Sequence, residues 1–430
     1  MRALLNHQKA PLAWIVKTQH PFLALEMRLG KTLVAIRAAQ KWGSKRPLVL
    51  APLPVLEAWE EELDREGEAD NWTLMNYERL LAMSKKLTGE ELFTWQSQFD
   101  LVICDESTRL KNPKSSTSQL CCALFRDAEH RMCLSGLPAP EGPADYFQQF
   151  KFLHGKFMGF ANFWGWRMKF FQPWGYSWEP TAAGRADIRA EVLRHTFFLT
   201  RKEAGVGAGK VYETRRVDPS PEQKRWSKEV KREFRFGQEE TKFAIVVATW
   251  LSRIAGGSGP EWESVGDGKI RELHSLLCGD LRGQSVLVGF RFNHELERVR
   301  SFLRRNGFVV TVITGATPRE ERKARRKRFQ AGEVQVLLVQ QACARMGLDF
   351  SRASATIYYS NWWSLETRKQ FEDRTTHPMK KEATLHIDLV TRDTPDEEVV
   401  QALKEKDAEA KGFRSRLAEL IKAKYKLEDR

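Results

Sequence analysis

Short apolar runs alternate with helically spaced segments through the first third of the chain. Phe22-Leu-Ala-Leu25, Pro47-Leu-Val-Leu-Ala51, Leu101-Val-Ile-Cys104 and Arg131-Met-Cys-Leu-Ser135 are largely apolar at consecutive positions, which predicts strands buried on both faces. Thr32–Ala39 and Pro54–Leu63 carry helical spacing, the second with proline near its start. Strands separated by helices predict a parallel α/β sheet over about residues 1–155, with ligands beyond the carboxyl ends of its strands. Over 156–265 the pattern changes to a mostly helical insert, dense in aromatics from Phe163 to Trp178 and charged from Pro221 to Phe234. Alternation then resumes. Gln284–Gly289, Phe308–Ile313, Val334–Val339, Ala355–Tyr359 and His386–Val390 predict a second α/β sheet over 266–395, followed by a charged helical tail over 396–430.

The candidate chemistry lies at the predicted strand ends. Gly30-Lys31-Thr32 follows the first strand and opens a helix, the setting in which backbone N–H groups meet phosphate oxygens, a lysine reaches the β- and γ-phosphates, and a threonine hydroxyl is offered to magnesium. The full phosphate-loop pattern would place glycine at position 25, where Leu25 stands. Leu101–Cys104 runs into Asp105-Glu106, one carboxylate to hold the metal and one to align the attacking water. This ordered pair of motifs is the chemistry of a nucleoside triphosphatase.

Composition adds a second partner. Lys and Arg number 70 against 56 Asp and Glu, a net charge of +14 that points to a polyanion, with nucleic acid first. Six cysteines without a Cys-x-x-Cys pair indicate neither zinc site nor disulfide framework. The absence of a signal-peptide core and of a long apolar run predicts a cytoplasmic protein with no membrane segment. His7, His20, His195 and His274 show no metal-ligand spacing and read as structural.

Two surface features admit two readings each. The Arg319–Arg328 run, with Arg325, Arg326 and Arg328, is either a phosphate-tracking face or a solvated one. Trp164, Trp166, Trp174 and Trp178 are expected to form the core of the insert, with stacking on unpaired bases as the alternative.

Taken in order, Leu25–Thr32, Ala51–Leu56 with Trp59, Asn76-Tyr77-Glu78, Asp105-Glu-Ser-Thr108 with Lys111-Asn-Pro113, Ser135-Gly-Leu-Pro138, Gly315, Met346-Gly-Leu-Asp349 and Gln370–Arg374 resemble the Swi/Snf-like branch of helicase superfamily two. The compact phage-type members are most similar. The resemblance implies two RecA-like parallel-sheet lobes, ATP and Mg2+ as cofactors, and movement on duplex DNA. It implies that Gln8 recognises adenine, that Arg28, Leu29, Gly30, Lys31 and Thr32 form the phosphate loop, and that Thr32 and Asp105 hold magnesium with Glu106 beside them. Ser135 and Gly136 would couple hydrolysis to movement, and Gly347, Asp349, Gln370 and Arg374 would complete the site from the second lobe. Two positions depart from the family: Arg28 replaces a glycine, and His377 replaces the second arginine of Gln-x-x-x-Arg-x-x-Arg.

The expected activity is an ATP-dependent translocase on double-stranded DNA, branched or forked forms included, in remodelling, replication or repair, with an unidentified protein partner. The alternatives are a strand-separating DNA or RNA helicase and a nucleotide-gated DNA-binding scaffold with little turnover.

Overall fold

The computed structural model describes residues 2–174, 177–207, 209–241, 244–346, 348–377, 380 and 382–408. Gly347 lies outside them, as do residues 409–430 of the expected tail; residues 395–408 are helical. The chain divides into two compact units, with Met1–Val206 in the first and Gly207–Glu405 in the second.

The first unit is built on β1 (Phe22–Leu25), β2 (Pro47–Ala51), β3 (Thr73–Asn76), β4 (Leu101–Asp105) and β5 (His130–Leu134), a short hairpin of β6 (Phe171–Trp174) with β7 (Ser177–Pro180), and β8 (Thr196–Leu199). Six of these strands form one parallel sheet in the order β3-β2-β4-β5-β1-β8. Strand alternation explains the consecutive apolar positions, because both faces are covered. Phe22, Ala24, Leu48, Leu50, Val102 and Cys104 share one core with Phe147 and Phe150 of the helix Tyr146–His154. Leu23, Leu25, Val49, Ala51, Leu101 and Ile103 share the other with Val34 of the helix Lys31–Trp42 and Trp59 of the helix Leu53–Glu66.

The second unit contains β9 (Lys210–Val217), the two-residue pair β10 (Arg235–Phe236) and β11 (Glu239–Glu240), β12 (Val286–Phe290), β13 (Val310–Ile313), β14 (Val336–Gln340), β15 (Ala355–Tyr358) and β16 (Thr384–Thr391). Its six-stranded parallel sheet has the order β13-β14-β12-β15-β16-β9. The two α/β sheets agree with the expected fold class.

The stretch expected as one helical insert, 156–265, is instead divided between the units. Its β8 extends the first sheet beside β1, and its β9 extends the second beside β16. Thr196-Phe-Phe-Leu199 is short, and Lys210–Val217 is largely polar because it is an edge strand, so neither gave a periodic signal. The aromatic segment also splits. Trp166 is fully buried among Phe147, Phe157 and Phe171, Trp178 packs partly against that core, and Trp164 and Trp174 are 48% and 64% exposed.

Candidate nucleotide site of the first unit

Parallel strands release their following loops at one edge, and β4, β5 and β1 are consecutive in the sheet. The loop after β1 carries Arg28 to Gly30 and leads into Lys31 and Thr32 at the start of the next helix, that after β4 carries Glu106, and that after β5 Ser135 and Gly136. The sequence therefore brings three of its candidate groups to the same edge.

The phosphate loop keeps a glycine-like path. Gly30 has φ of 76° and ends the loop as the residue before the helix Lys31–Trp42. Arg28 has φ of 68°, so the residue that departs from the family still adopts the left-handed conformation that favours glycine. A Cβ at Gly30 would lie 2.1 Å from Gln8 Nε2, which donates to the Leu29 carbonyl at 3.2 Å while Gln8 Oε1 accepts from the Leu5 N–H at 3.0 Å. Gln8 thus braces the loop and retains one amide hydrogen for another acceptor. Glu26 anchors the loop's start, its N–H donating to Leu199 of β8 at 2.9 Å and its Oε2 accepting from the Arg201 N–H at 2.6 Å. Lys31 Nζ donates to the Leu25 carbonyl at 3.0 Å.

Asp105 is buried at the end of β4. Its Oδ2 accepts from the Trp59 indole at 2.9 Å, its Oδ1 from the Glu106 N–H at 2.8 Å, and its carbonyl from the Tyr77 hydroxyl at 2.9 Å. Burial pushes the Asp105 carboxyl above its ordinary value, against the Lys31 ammonium, the Trp59 indole and the Glu106 amide, which favour the ionised form. Glu106 turns the chain off the strand with φ of 47°. Sequence reasoning gave Trp59 and Tyr77 no role. Both stand in segments that resemble the family's motifs, and the physical reason for them is that a buried carboxylate needs donors, which here come from distant segments.

Ser135 Oγ accepts from the Leu137 N–H at 3.1 Å, and a Cβ on Gly136 would meet the Met27 side chain at 3.3 Å, so this loop packs on the phosphate loop. Gln149, also without an assigned role, ties it to the loop after β4. Ser107 Oγ donates to Gln149 Oε1 at 2.7 Å, and Gln149 Nε2 donates to the Pro138 and Asp145 carbonyls at 2.7 and 2.8 Å.

The second unit carries the later candidates. Asp349 caps its own turn, accepting from the Ser351 N–H at 3.0 Å. Gln370 lies on the helix Leu365–Asp373, its Nε2 3.3 Å from Glu366 Oε1. That helix is locked by Arg368, which donates to Asp388 at 2.6 Å and to Glu372 at 2.9 Å. It ends at Asp373 with Arg374 as its C-cap, so Arg374 and His377 do not share one helical segment. The Thr375 and Thr376 hydroxyls instead donate to the Glu372 and Asp373 carbonyls at 2.8 and 2.9 Å, and Pro378 disfavours helix at His377. On the helix Arg319–Ala331, Arg325 pairs with Glu321 and donates to the Val312 carbonyl, and Arg328 pairs with Glu333 at 3.2 Å. Arg326 has no carboxylate partner among the described residues.

Comparison with known families matches residues 73–249 to the SNF2-related domain and residues 268–378 to the helicase conserved C-terminal domain. The chain carries a SNF2-related helicase core. It is 24% identical over 89% of its length to the SWI/SNF-related matrix-associated actin-dependent regulator of chromatin subfamily A-like protein 1 of Xenopus tropicalis, of which it spans 42%. It is also 24% identical, over 89% of itself and 91% of the relative, to putative protein p41 of Acyrthosiphon pisum secondary endosymbiont phage 1. Among solved structures, the Sulfolobus solfataricus SWI2/SNF2 ATPase core in complex with dsDNA is 19% identical, covers 98% of this chain and 97% of its own, and has a TM-score of 0.44. The SNF2-related core thus has relatives both longer than itself and of its own compass. Among the described residues, no helix is long and apolar enough to cross a membrane, and no three acidic, His or Cys side chains converge as metal ligands.

Proposed function

We propose that the chain is a DNA-stimulated ATPase that moves along double-stranded DNA. The observation that carries the nucleotide reading is the convergence of the Lys31 loop, the buried Asp105 and the Ser135-Gly136 loop at one edge of the first sheet. A helix N-terminus without a side-chain cap presents its first N–H groups to phosphate, and Lys31 adds a positive charge. The donor set fits magnesium as a nucleotide complex: one carboxylate, Asp105, and one hydroxyl, Thr32, leave the remaining positions to phosphate and water. Bound there, the ion would neutralise phosphate charge. Glu106 orients a water whose oxygen bonds to the γ-phosphorus as the bond to the leaving ADP oxygen breaks.

Ser135, Gly136 and Gln149 would pass changes at this edge to the rest of the unit. The roles proposed for Asp349, Gln370 and Arg374, and for Gly347, rest on their motifs alone. Duplex DNA as the track is supported by the net charge of +14, and backbone contacts imply little sequence preference.

The deciding experiment measures phosphate release with no nucleic acid, single strands, blunt duplex, branched DNA and RNA. Duplex should stimulate most among unbranched forms, and Glu106→Gln should bind nucleotide and DNA without turnover. Equal turnover in a folded Glu106→Gln protein would refute the assignment. Stimulation by RNA alone would redirect it to an RNA helicase, and no turnover with any nucleic acid to a scaffold.

A further inference from the structure

The exposed half of the aromatic cluster carries chemistry that the nucleotide site does not use. Trp164 and Arg167 lie three residues apart on the helix Phe163–Phe170, whose start is capped by Asn162 accepting from the Trp164 N–H at 2.8 Å. The Arg167 guanidinium sits 4.4 Å from the centre of the Trp178 ring and 4.9 Å from that of Trp164. Trp178 packs partly against the core, so a stack runs outward from core to Trp178 to Arg167 to the half-exposed Trp164. A second cation, Lys114, approaches the Trp164 ring at 5.4 Å. Trp174, on the neighbouring hairpin, is also exposed.

Two cations beside one indole, neither with a carboxylate partner among the described residues, repel each other and leave an aromatic surface in water. An occupant with a flat π face and an adjoining negative charge relieves both costs, and an unpaired nucleotide has that form. Bases inside a duplex expose no π face, so the occupant must be single-stranded. We propose that Trp164, Arg167 and Lys114 form a platform for an unpaired nucleotide at a DNA branch, with the base on Trp164 and its phosphate between the two cations. Lys114 lies eight residues after Glu106, in the segment joining the turn Ser107–Leu110 to the helix Ser116–Leu124. Occupancy of the platform therefore bears on the segment that starts at the hydrolytic carboxylates, which makes branched DNA a better activator than blunt duplex. This last consequence rests on the function proposed above; the binding does not.

The test compares the full chain on a duplex with two oligo-dT arms and on a blunt duplex of equal length, by anisotropy without nucleotide and by phosphate release with ATP. Trp164→Ala should weaken binding of the armed duplex about five- to a hundredfold, the range for loss of one base–aromatic stack, and lower its stimulation to the blunt-duplex level. Binding of the blunt duplex should not change, and Trp164→Phe should recover most of the loss. Lys114→Ala should flatten the salt dependence for the armed duplex by about 0.7 on the log–log scale, the value for one phosphate of a single strand. Wild-type binding of the arms by Trp164→Ala overturns the platform, as does an equal loss on both DNAs. A dT oligomer that leaves tryptophan fluorescence unchanged while an acidic peptide quenches it would mark a protein-binding face and also overturn it. Failure of every DNA to stimulate hydrolysis would sink the motor reading while the anisotropy arm still decides the platform.

Discussion

The Trp59 indole donates to the Asp105 carboxylate at 2.9 Å, and both groups are buried. Burial raises the Asp105 pKa, and this donor is one of the groups that favours the ionised form. Trp59→Phe keeps an aromatic ring against Trp72, whose centroid is 5.7 Å away, and removes only the N–H and part of the ring. A hydrogen bond to a charged group contributes about 1.5–3 kcal/mol, so kcat/KM should fall about ten- to a hundredfold. Because the carboxyl's pKa rises further, the acid limb of the pH–rate profile should move to higher pH. A lower rate with an unshifted limb would reduce Trp59 to a packing residue.

Gly30 and Arg28 share a left-handed backbone, and substitution at each tests a different constraint on the loop. Gly30→Ala adds a Cβ 2.1 Å from Gln8 Nε2 and should displace Gln8, with loss of nucleotide binding measured by titration calorimetry. Arg28→Gly and Arg28→Val delete the same side-chain contacts and differ in backbone tolerance. At φ of 68° the valine variant should be less stable than the glycine variant by roughly 1–3 kcal/mol in urea unfolding. Equal stabilities would mean that the loop relaxes out of this conformation.

Largely apolar runs made β1, β2, β4, β5, β12, β14 and β15 readable, because a strand covered on both faces is mostly apolar, and β16 was readable from Ile387, Leu389 and Val390 despite the buried His386 and Asp388 between and beside them. Of the four edge strands of the six-stranded sheets, β13 was readable in the same way, whereas β3, β8 and β9 were not. β3 (Thr73–Asn76) and β9 bury part of their residues, and their mixed polarity resembles a loop. The same distinction holds at the site. Gly30, Lys31, Asp105 and Glu106 are adjacent to recognisable strand ends. Trp59, Tyr77 and Gln149 act through contacts between residues 28 to 46 positions apart, and no local pattern announces such contacts. The helix end before Arg374 was not legible either, because it is set by the Thr375 and Thr376 hydroxyls, which compete for the helix's last carbonyls.

Salt dependence should separate the arginines of Arg319–Ala331. Arg325 already serves Glu321 and the Val312 carbonyl, and Arg328 serves Glu333. If this helix meets duplex phosphates, Arg326→Ala should lower the log–log salt slope by about 0.9, the release expected for one phosphate contact. Arg325→Ala should change it less. Identical slopes in all variants would identify a solvated face.

Glu295 gives the second unit a pH-dependent stability. It is fully buried on the helix Asn293–Arg305, accepts from the Ser360 hydroxyl at 2.6 Å, and is faced by Lys269, Asp396 and Arg298. Burial raises its pKa from 4.5 to about 7. The folded state therefore holds a proton that the unfolded state has released, and stability contributed below pH 4.5 is lost as pH rises toward 7, in total about 3 kcal/mol. Glu295→Gln removes the titrating group, so its stability should match wild type near pH 5 and exceed it near pH 8. Parallel unfolding curves at the two pH values would show that the carboxyl is already ionised at the lower one.

The end of the helix Leu365–Asp373 decides what His377 can contribute. Arg368 fixes this helix through Asp388 and Glu372 and lies over the Tyr358 ring at 3.3 Å, so the position of Arg374 immediately after it is well determined. His377 follows two threonines that have turned the chain out of helix, and it no longer shares a helical face with Arg374. An arginine acting on a transferring phosphoryl group contributes about 10³–10⁵ in rate. Arg374→Ala should therefore abolish DNA-stimulated hydrolysis if the role proposed for it holds, with DNA binding retained. Restoring the family's residue by His377→Arg should leave kcat unchanged, because the departure lies in the backbone path as well as in the side chain. Single-turnover phosphate release with saturating duplex measures both variants. A rise in kcat for His377→Arg would place position 377 back at the phosphate and overturn this reading of the helix end, whereas wild-type turnover in Arg374→Ala would remove the motif from hydrolysis altogether.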